Sequence, residues 1–431
     1  MRYTAPLIIF ILILPALKCN SFAEDLYERA KERITAKAVT KECRDLIVSE
    51  YTRQLIAFST EAPLPFEDKE FDNECWSVQG EEKGDRITFS PATLRIAYLI
   101  LAHEHPDQVI RLIKALNEPG HIFIVHVDLK RAEMYNHLEK WSNPSITPGG
   151  IASRVYLVPR AQSKRVTWGG WSVVDATLAC MKQALSSAHT YDFMLLLSGS
   201  SYPLQANRQI RAALAAASEK GDIVNDIASK PDYRPPDRWY SYIDCDDKLH
   251  RVGRLSAPVG LALYSGSQWW AISRAVASWL LSANKTSLPE LFSAYARRTM
   301  VPDETYFATL FTHSPYCEGI VRPYQGHAGP RLMHVQWGES GGWVDPEGDE
   351  DTKCLLPPHT RSRCGRSPAV LTLADRHTVL ASNALFARKF DATVEQSQLL
   401  LDAIDQRRAF YDEMGRWTDE RLTRTCDLDE V

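Results

Sequence analysis

Residues Arg95 to Asp128 constrain the fold more than any other stretch of this chain. Ile96 to Leu101 is a continuous apolar run, too short for an ordinary helix and suited to a strand buried on both faces. Val109, Leu112, Ile113 and Leu116 follow at helical spacing, opened by Pro106 and stopped by Pro119-Gly120. Ile122 to Val127 reads as a second buried strand. Together they predict a βαβ unit, and with it a parallel sheet in an α/β domain. The strands end in polar residues, His103 on the first and His126 with Asp128 on the second. Ligands of open α/β sheets bind at such carboxyl ends. No Gly-x-Gly-x-x-Gly follows the first strand and no Walker loop occurs, which argues against dinucleotide and P-loop sites.

At 431 residues the chain holds one large domain with appendages, or two domains. Fifty Lys and Arg against 54 Asp and Glu leave a formal net charge of −4, so there is no overall basic field and no nucleic-acid partner is expected. An apolar run from Ala5 to Leu17 is shorter than the ~20 residues that span a bilayer. It fits a signal-peptide core with a cleavage site at Ser21-Phe22-Ala23, or a type II anchor with Lys18 snorkelling. Either sends the rest into the secretory lumen. Nine cysteines suit that oxidising compartment, and none lies in a Cys-x-x-Cys or zinc spacing. Cys19 falls in the leader, which leaves eight for disulfides. Cys354 and Cys364 flank a proline-containing turn and are the one expected pair. Asn284-Lys285-Thr286 is a glycosylation sequon.

In chain order, residues 1–23 are the leader or anchor. Residues 24–90 are a helical stem and linker, either free-standing or docked on the catalytic domain; residues 91–425 form that single domain. After the βαβ unit come a strand at Arg154 to Val158 and a polar loop, Arg160 to Thr167. Trp168-Gly169-Gly170-Trp171-Ser172 follows, with Ser172 as the expected helix N-cap. Asp192 to Leu197 is another buried strand, ending in Ser198-Gly199-Ser200-Ser201-Tyr202-Pro203. Residues 226–258 read as a long functional loop or an irregular subdomain. Gly266 to Arg274 runs from turn to strand to helix, Pro302-Asp303-Glu304 opens a helix, and Lys389-Phe390-Asp391 precedes a last amphipathic helix carrying Val394, Leu399, Leu400 and Ile404.

The order of these segments, with Cys180-Met181-Lys182, resembles the core-2/I-branching glycosyltransferase family over residues 93 to 410. That family holds β-1,6-N-acetylglucosaminyltransferases and, as relatives, peptide O-xylosyltransferases and plant arabinogalactan glucuronosyltransferases. The resemblance implies a GT-A fold with a central, mostly parallel sheet. It also implies a UDP-sugar donor (GlcNAc or xylose), a glycan or protein hydroxyl as acceptor, inversion at the anomeric carbon and a Golgi type II membrane enzyme.

Inverting transfer needs a base for the acceptor proton and positive charge for the departing UDP. By its Pro-Asp-Glu motif Glu304 matches the family's base, although the same three letters also open ordinary helices. Lys389 matches the family's diphosphate-binding Lys, and Arg366 falls at the position of its Arg, with Arg363 as a nearby rival. These cations imply a metal-independent enzyme with no cofactor. Asp244-Cys245-Asp246 has the letters of a manganese-binding Asp-x-Asp but lies in the irregular loop, where it is expected to be solvated. His103 and Asp128 match positions that face the uridine. Trp239, Trp337 and Trp343 are expected to stack on sugar, Trp269 to be core, and Asp226 and Arg238 to meet the acceptor. Ser201 departs from the family, which usually has Asp there. A catalytically inactive, lectin-like member is the alternative, against which Glu304, Arg366 and Lys389 stand. A glycoside hydrolase would need a second facing carboxylate, and none has a comparable context.

Overall fold

The computed structural model describes residues 21–60, 89–143, 145, 150–228, 240–258, 260–282, 287–321, 331–336 and 368–426, with side chains from 27 to 55 and as far as 414 at the two ends. The expectations for the leader, the sequon at Asn284, Arg238, Trp239, Trp337, Trp343, Cys354, Arg363, Cys364 and Arg366 concern residues outside that set.

Twelve strands are described: β1 (Ile96–Ala102), β2 (Ile122–Val127), β3 (Val155–Leu157), β4 (Phe193–Ser198), β5 (Tyr202–Pro203), β6 (Ile223–Val224), β7 (Tyr240–Cys245), β8 (Lys248–Arg254), β9 (Ala271–Ser273), β10 (Ile320–Val321), β11 (Met333–Val335) and β12 (Phe386–Arg388). Seven form the central sheet in the order β10-β6-β9-β4-β1-β2-β3. All its neighbours are parallel except β9, which runs antiparallel to both β4 and β6. This is the expected α/β domain with a mostly parallel sheet. Helices cover both faces of β1, β2 and β4, which leaves their residues almost wholly buried. Burial on both faces removes the polar alternation, and each fully buried aliphatic side chain contributes roughly 1.5–3 kcal/mol.

The carboxyl edge of the sheet is packed tightly. A Cβ at Gly199, just past β4, would sit 2.9 Å from Val109 Cγ2 on the helix Pro106–Ala115. Only glycine lets the turn after β4 lie against that helix. A second sheet, β11-β12-β5, is joined there, because β12 pairs antiparallel with β5. The segment after β12 is thereby brought to the end of β4.

The stretch expected to be irregular contains a regular hairpin. β7 and β8 pair from Tyr240–Arg254 to Cys245–Lys248 across a turn in which Asp246 (φ 53°) and Asp247 (φ 60°) are both left-handed. That backbone is the two-residue turn that matches strand twist. Asp244-Cys245-Asp246 is therefore not a solvated loop. Asp244 Oδ2 accepts from Ser172 Oγ (2.7 Å) and the Ser172 N–H (3.3 Å). Asp246 accepts from the backbone N–H groups of Val39 (2.7 Å) and Thr40 (3.0 Å) and from Thr40 Oγ1 (2.7 Å).

The N-terminal helices dock on this hairpin. Cys43, on the helix Lys41–Thr60, is disulfide-bonded to Cys245. Glu50 on the same helix is 6% exposed and accepts from Arg53 Nε (2.8 Å) and Nη2 (2.7 Å), Gln54 Nε2 (2.9 Å) and Ser241 Oγ (2.9 Å), with Arg298 Nε at 3.1 Å. Burial alone would raise its pKa; these partners outweigh it and hold the carboxyl below its usual range. The cysteine expectation needs correcting: Cys180 is a free thiol buried in the core, so not all eight are paired. Cys317 is disulfide-bonded. In the last helix, Glu395–Cys426, Leu400 and Ile404 are buried but Leu399 is 41% exposed, and Val394 precedes the first turn. Among the described residues no helix is long and apolar enough to cross a membrane.

Candidate active site

Asp128 ends β2 with its side chain 6% exposed. Its Oδ1 accepts from the Lys130 N–H at 2.9 Å, an Asx-type turn that fixes the carboxylate. Its backbone N–H donates to Ala102 O at 2.9 Å, which ties the ends of β1 and β2 together. His103, one residue past β1, has a side chain 53% exposed with Nε2 3.3 Å from Glu104. Desolvation of its inner edge lowers its pKa. Glu104 and Asp128 oppose that shift, and the Lys389 ammonium adds to it. His103 thus feels both of the other expected donor residues among those described, Asp128 and Lys389.

Lys389 is held by its neighbours. Phe390 N–H donates to Ser200 O (3.0 Å), Leu371 N–H to Lys389 O (2.8 Å), and Gln108 Nε2 to Phe390 O (3.0 Å). Asp391, held below its usual range chiefly by hydrogen bonds from Thr393, also feels the Lys389 charge. Ser201, where the family usually has Asp, is fully buried. Its hydroxyl lies 2.9 Å from Ser198 Oγ and accepts from the Ser198 N–H at 3.2 Å. Here the residue closes the turn after β4 and brings no charge.

Glu304 lies in the first turn of the helix Asp303–Thr312. The turn before it is unusual, because Val301 has φ 53°. A β-branched residue there is strained, at a cost on the order of 1–3 kcal/mol. Two contacts offset that cost. Val301 N–H donates to Gly169 O at 2.7 Å, and Trp171 packs edge-on against Tyr306 at 5.0 Å. The Trp-Gly-Gly-Trp-Ser motif thus braces the turn that leads into Glu304. A Cβ on Gly170 would collide with the Asp244 carboxylate, which accounts for the second glycine. Gly170, and not Ser172, is the N-cap of the helix Trp171–Ser186; Ser172 lies inside it, bonded to Asp244. On its other side Glu304 O accepts from the Gly266 N–H at 2.8 Å, and the Ser267 N–H donates to Asp226 O at 3.0 Å. Asp226 and Glu304 therefore share one corner.

Arg388 links the two halves. Its guanidinium lies 4.7 Å over the ring of Trp269, a core residue as expected. Burial pushes the Arg388 pKa down to about 10, and Asp303, beside Glu304, pulls it back up. The sequence does not advertise Arg388, Lys130 or Val301, because each acts through a partner distant in the chain. Only the position of Lys130, two residues after Asp128, was available as a signal.

His126, on β2, points into the protein and is 1% exposed. Its Nε2 accepts from the Lys164 N–H at 2.8 Å, and burial pushes its pKa down from 6.5 to about 4. The unfolded chain binds this proton more readily, so its contribution to stability is complete above about pH 6.5 and is lost as pH falls towards 4. Between pH 7 and pH 5 the loss should be about 2 kcal/mol. Denaturant unfolding across that range should show it, and His126→Gln should flatten the slope. An unchanged slope would mean that His126 stays neutral in both states or charges without cost.

The profile of the family described as Core-2/I-Branching enzyme matches residues 96–344. Xylosyltransferase 2 of Rattus norvegicus is 26% identical over 333 residues, 75% of this chain and 35% of that protein. Xylosyltransferase 1 of Homo sapiens is 26% identical over 384 residues, 85% of this chain and 36% of that protein. The Bos taurus β-1,3-galactosyl-O-glycosyl-glycoprotein β-1,6-N-acetylglucosaminyltransferase 3 is 26% identical over 383 residues, 86% of this chain and 81% of that protein. The match thus spans about a third of each xylosyltransferase. The matched span runs from the first residue of β1, through the strand ends at His103 and Asp128, past Glu304, and on this footing the chain belongs to the core-2/I-branching enzyme family.

Proposed function

We propose that the protein is an inverting glycosyltransferase that moves GlcNAc or xylose from a UDP-sugar to a hydroxyl of a glycan or protein in the secretory lumen. What supports this most is the continuity of charge across the sheet edge: His103 senses both Asp128 and Lys389, and Arg388, the neighbour of Lys389 in the chain, senses Asp303 beside Glu304. A donor held at the strand ends would have its diphosphate by Lys389 and its anomeric carbon towards Glu304. Glu304 takes the acceptor proton, Lys389 and Arg366 hold the leaving UDP, and Asp226, Arg238, Trp239 and Trp337 meet the acceptor. The xylosyltransferases and the N-acetylglucosaminyltransferase named above support either donor sugar.

No metal is assigned a role in the reaction. The carboxylates of Asp244 and Asp246 are taken up by Ser172, Val39 and Thr40, so this Asp-x-Asp holds the fold together. Incubation with a panel of UDP-sugars and acceptors should release UDP with one of GlcNAc or xylose, and most of the rate should persist in EDTA. Full loss in EDTA with rescue by Mn²⁺ would overturn the cation assignment. Binding of glycan with no UDP release from any donor would favour a lectin-like role.

A further inference from the structure

We propose that Asp247, at the tip of the β7–β8 hairpin, is a positioning residue for the donor nucleotide, holding Lys130 off Asp128 so that the Asp128 carboxylate stays open to the nucleoside. The proposal rests on the reading of Asp128 as a donor residue. An Asp in that role must accept hydrogen bonds, from ribose hydroxyls or from the uracil N–H.

The geometry is as follows. Asp128 Oδ1 is occupied by the Lys130 N–H, but Oδ2 accepts no hydrogen bond among the described residues. The Lys130 ammonium lies 3.6 Å from that Oδ2, beyond hydrogen-bond length. It is kept there from the far side. Lys130 Nζ donates to Val166 O at 2.6 Å and lies 3.7 Å from Asp247 Oδ1. Lys130 thus stands between two carboxylates, and only one of them belongs to the donor pocket.

Asp247 is itself immobilised from two directions. Arg165 forks onto it, with Nε 2.7 Å from Oδ1 and Nη2 on Oδ2. The hydrogen bond from Arg165 outweighs the effect of burial and, with a lesser contribution from the charge of Lys130, keeps the Asp247 carboxyl below its usual range. Next to it Asp246 is clamped on Val39 and Thr40, and Cys245 is bonded to Cys43. The hairpin tip is thereby a fixed post that carries the Asp247 carboxylate to the rim of the donor pocket.

The physical expectation is a competition. Without the Asp247 charge, Lys130 collapses onto Asp128 and occupies the oxygen the nucleoside would use. Asn replaces Asp247 with the same shape and tolerates its left-handed backbone, so the fold is preserved. Pairs of this exposure are worth up to about 1 kcal/mol, which corresponds to a loss of roughly threefold to fivefold in donor affinity. The loss should fall in the donor KM, with the kcat effect much smaller, because Asp247 touches neither the acceptor nor the leaving group.

The test is a calorimetric titration of the full chain with UDP in four variants, Asp128→Asn, Asp247→Asn, Lys130→Met and the Lys130→Met/Asp247→Asn pair, beside the unaltered protein. Asp128→Asn should weaken UDP binding, Asp247→Asn should weaken it threefold to fivefold, and the second effect should vanish when Lys130 is already Met. If Asp247→Asn binds UDP like the unaltered protein, or weakens it equally with and without Lys130, the positioning role is overturned while the donor pocket stands. If the unaltered protein does not bind UDP, or Asp128→Asn binds it unchanged, the donor-site reading fails and this proposal with it.

Discussion

Glu304→Gln is expected to lower kcat at least ~10²-fold while UDP binding hardly changes. A carboxylate base works only within about 3 Å of the acceptor hydroxyl and on the side away from the leaving group. Gln keeps the size and removes the base. The surroundings favour an isolated effect on chemistry. The positive end of the helix Asp303–Thr312 suits an acid in its first turn, and Gln is tolerated there. The backbone is fixed independently of the side chain, by Val301 N–H on Gly169 O and by Gly266 N–H on Glu304 O. Steady-state rates and UDP calorimetry on the same preparation check both halves. Near-normal turnover would reduce Glu304 to a helix-opening acid and send the search for the base elsewhere.

Lys389→Met is expected to cost roughly 10²-fold in kcat, the scale for removing one preorganised group from developing negative charge. Met keeps most of the stem and removes the ammonium. Unlike the Glu304 variant it should also weaken UDP binding, since the diphosphate is charged before and after transfer. A second readout does not depend on turnover. The Lys389 charge helps to lower the His103 pKa, so His103 should titrate at higher pH in the variant. An NMR titration that leaves His103 where it was would show that the ammonium lies elsewhere in solution. Unchanged kcat with a shifted His103 would place Lys389 at the site without a role in the chemistry.

Much of the fold is legible in the sequence because its central strands are buried on both faces and read as unbroken apolar runs. Glu304 is legible because Pro-Asp-Glu is a local signal. The supports of both are not legible. Val301 is strained only in view of its backbone, and its partner Gly169 arrives from another segment. The hairpin was hidden for a different reason. Its turn uses Asp246-Asp247 in place of the Asn-Gly or Asp-Gly that marks such turns, and it follows a proline-rich stretch that reads as loop. Ser172 has the letter of an N-cap but sits one residue inside the helix, because Gly170 must lie against Asp244.

The bond between Cys43 and Cys245 joins positions 202 residues apart in the chain. It closes a covalent ring that contains β1 to β7, with His103 and Asp128, while Glu304 and Lys389 lie outside. On the chain-entropy account a ring of that size removes about 5 kcal/mol of freedom from the unfolded chain. A single proteolytic nick within the ring leaves the two pieces one molecule. The strand ends at His103 and Asp128 are thus protected from separation even when the backbone between them is cut.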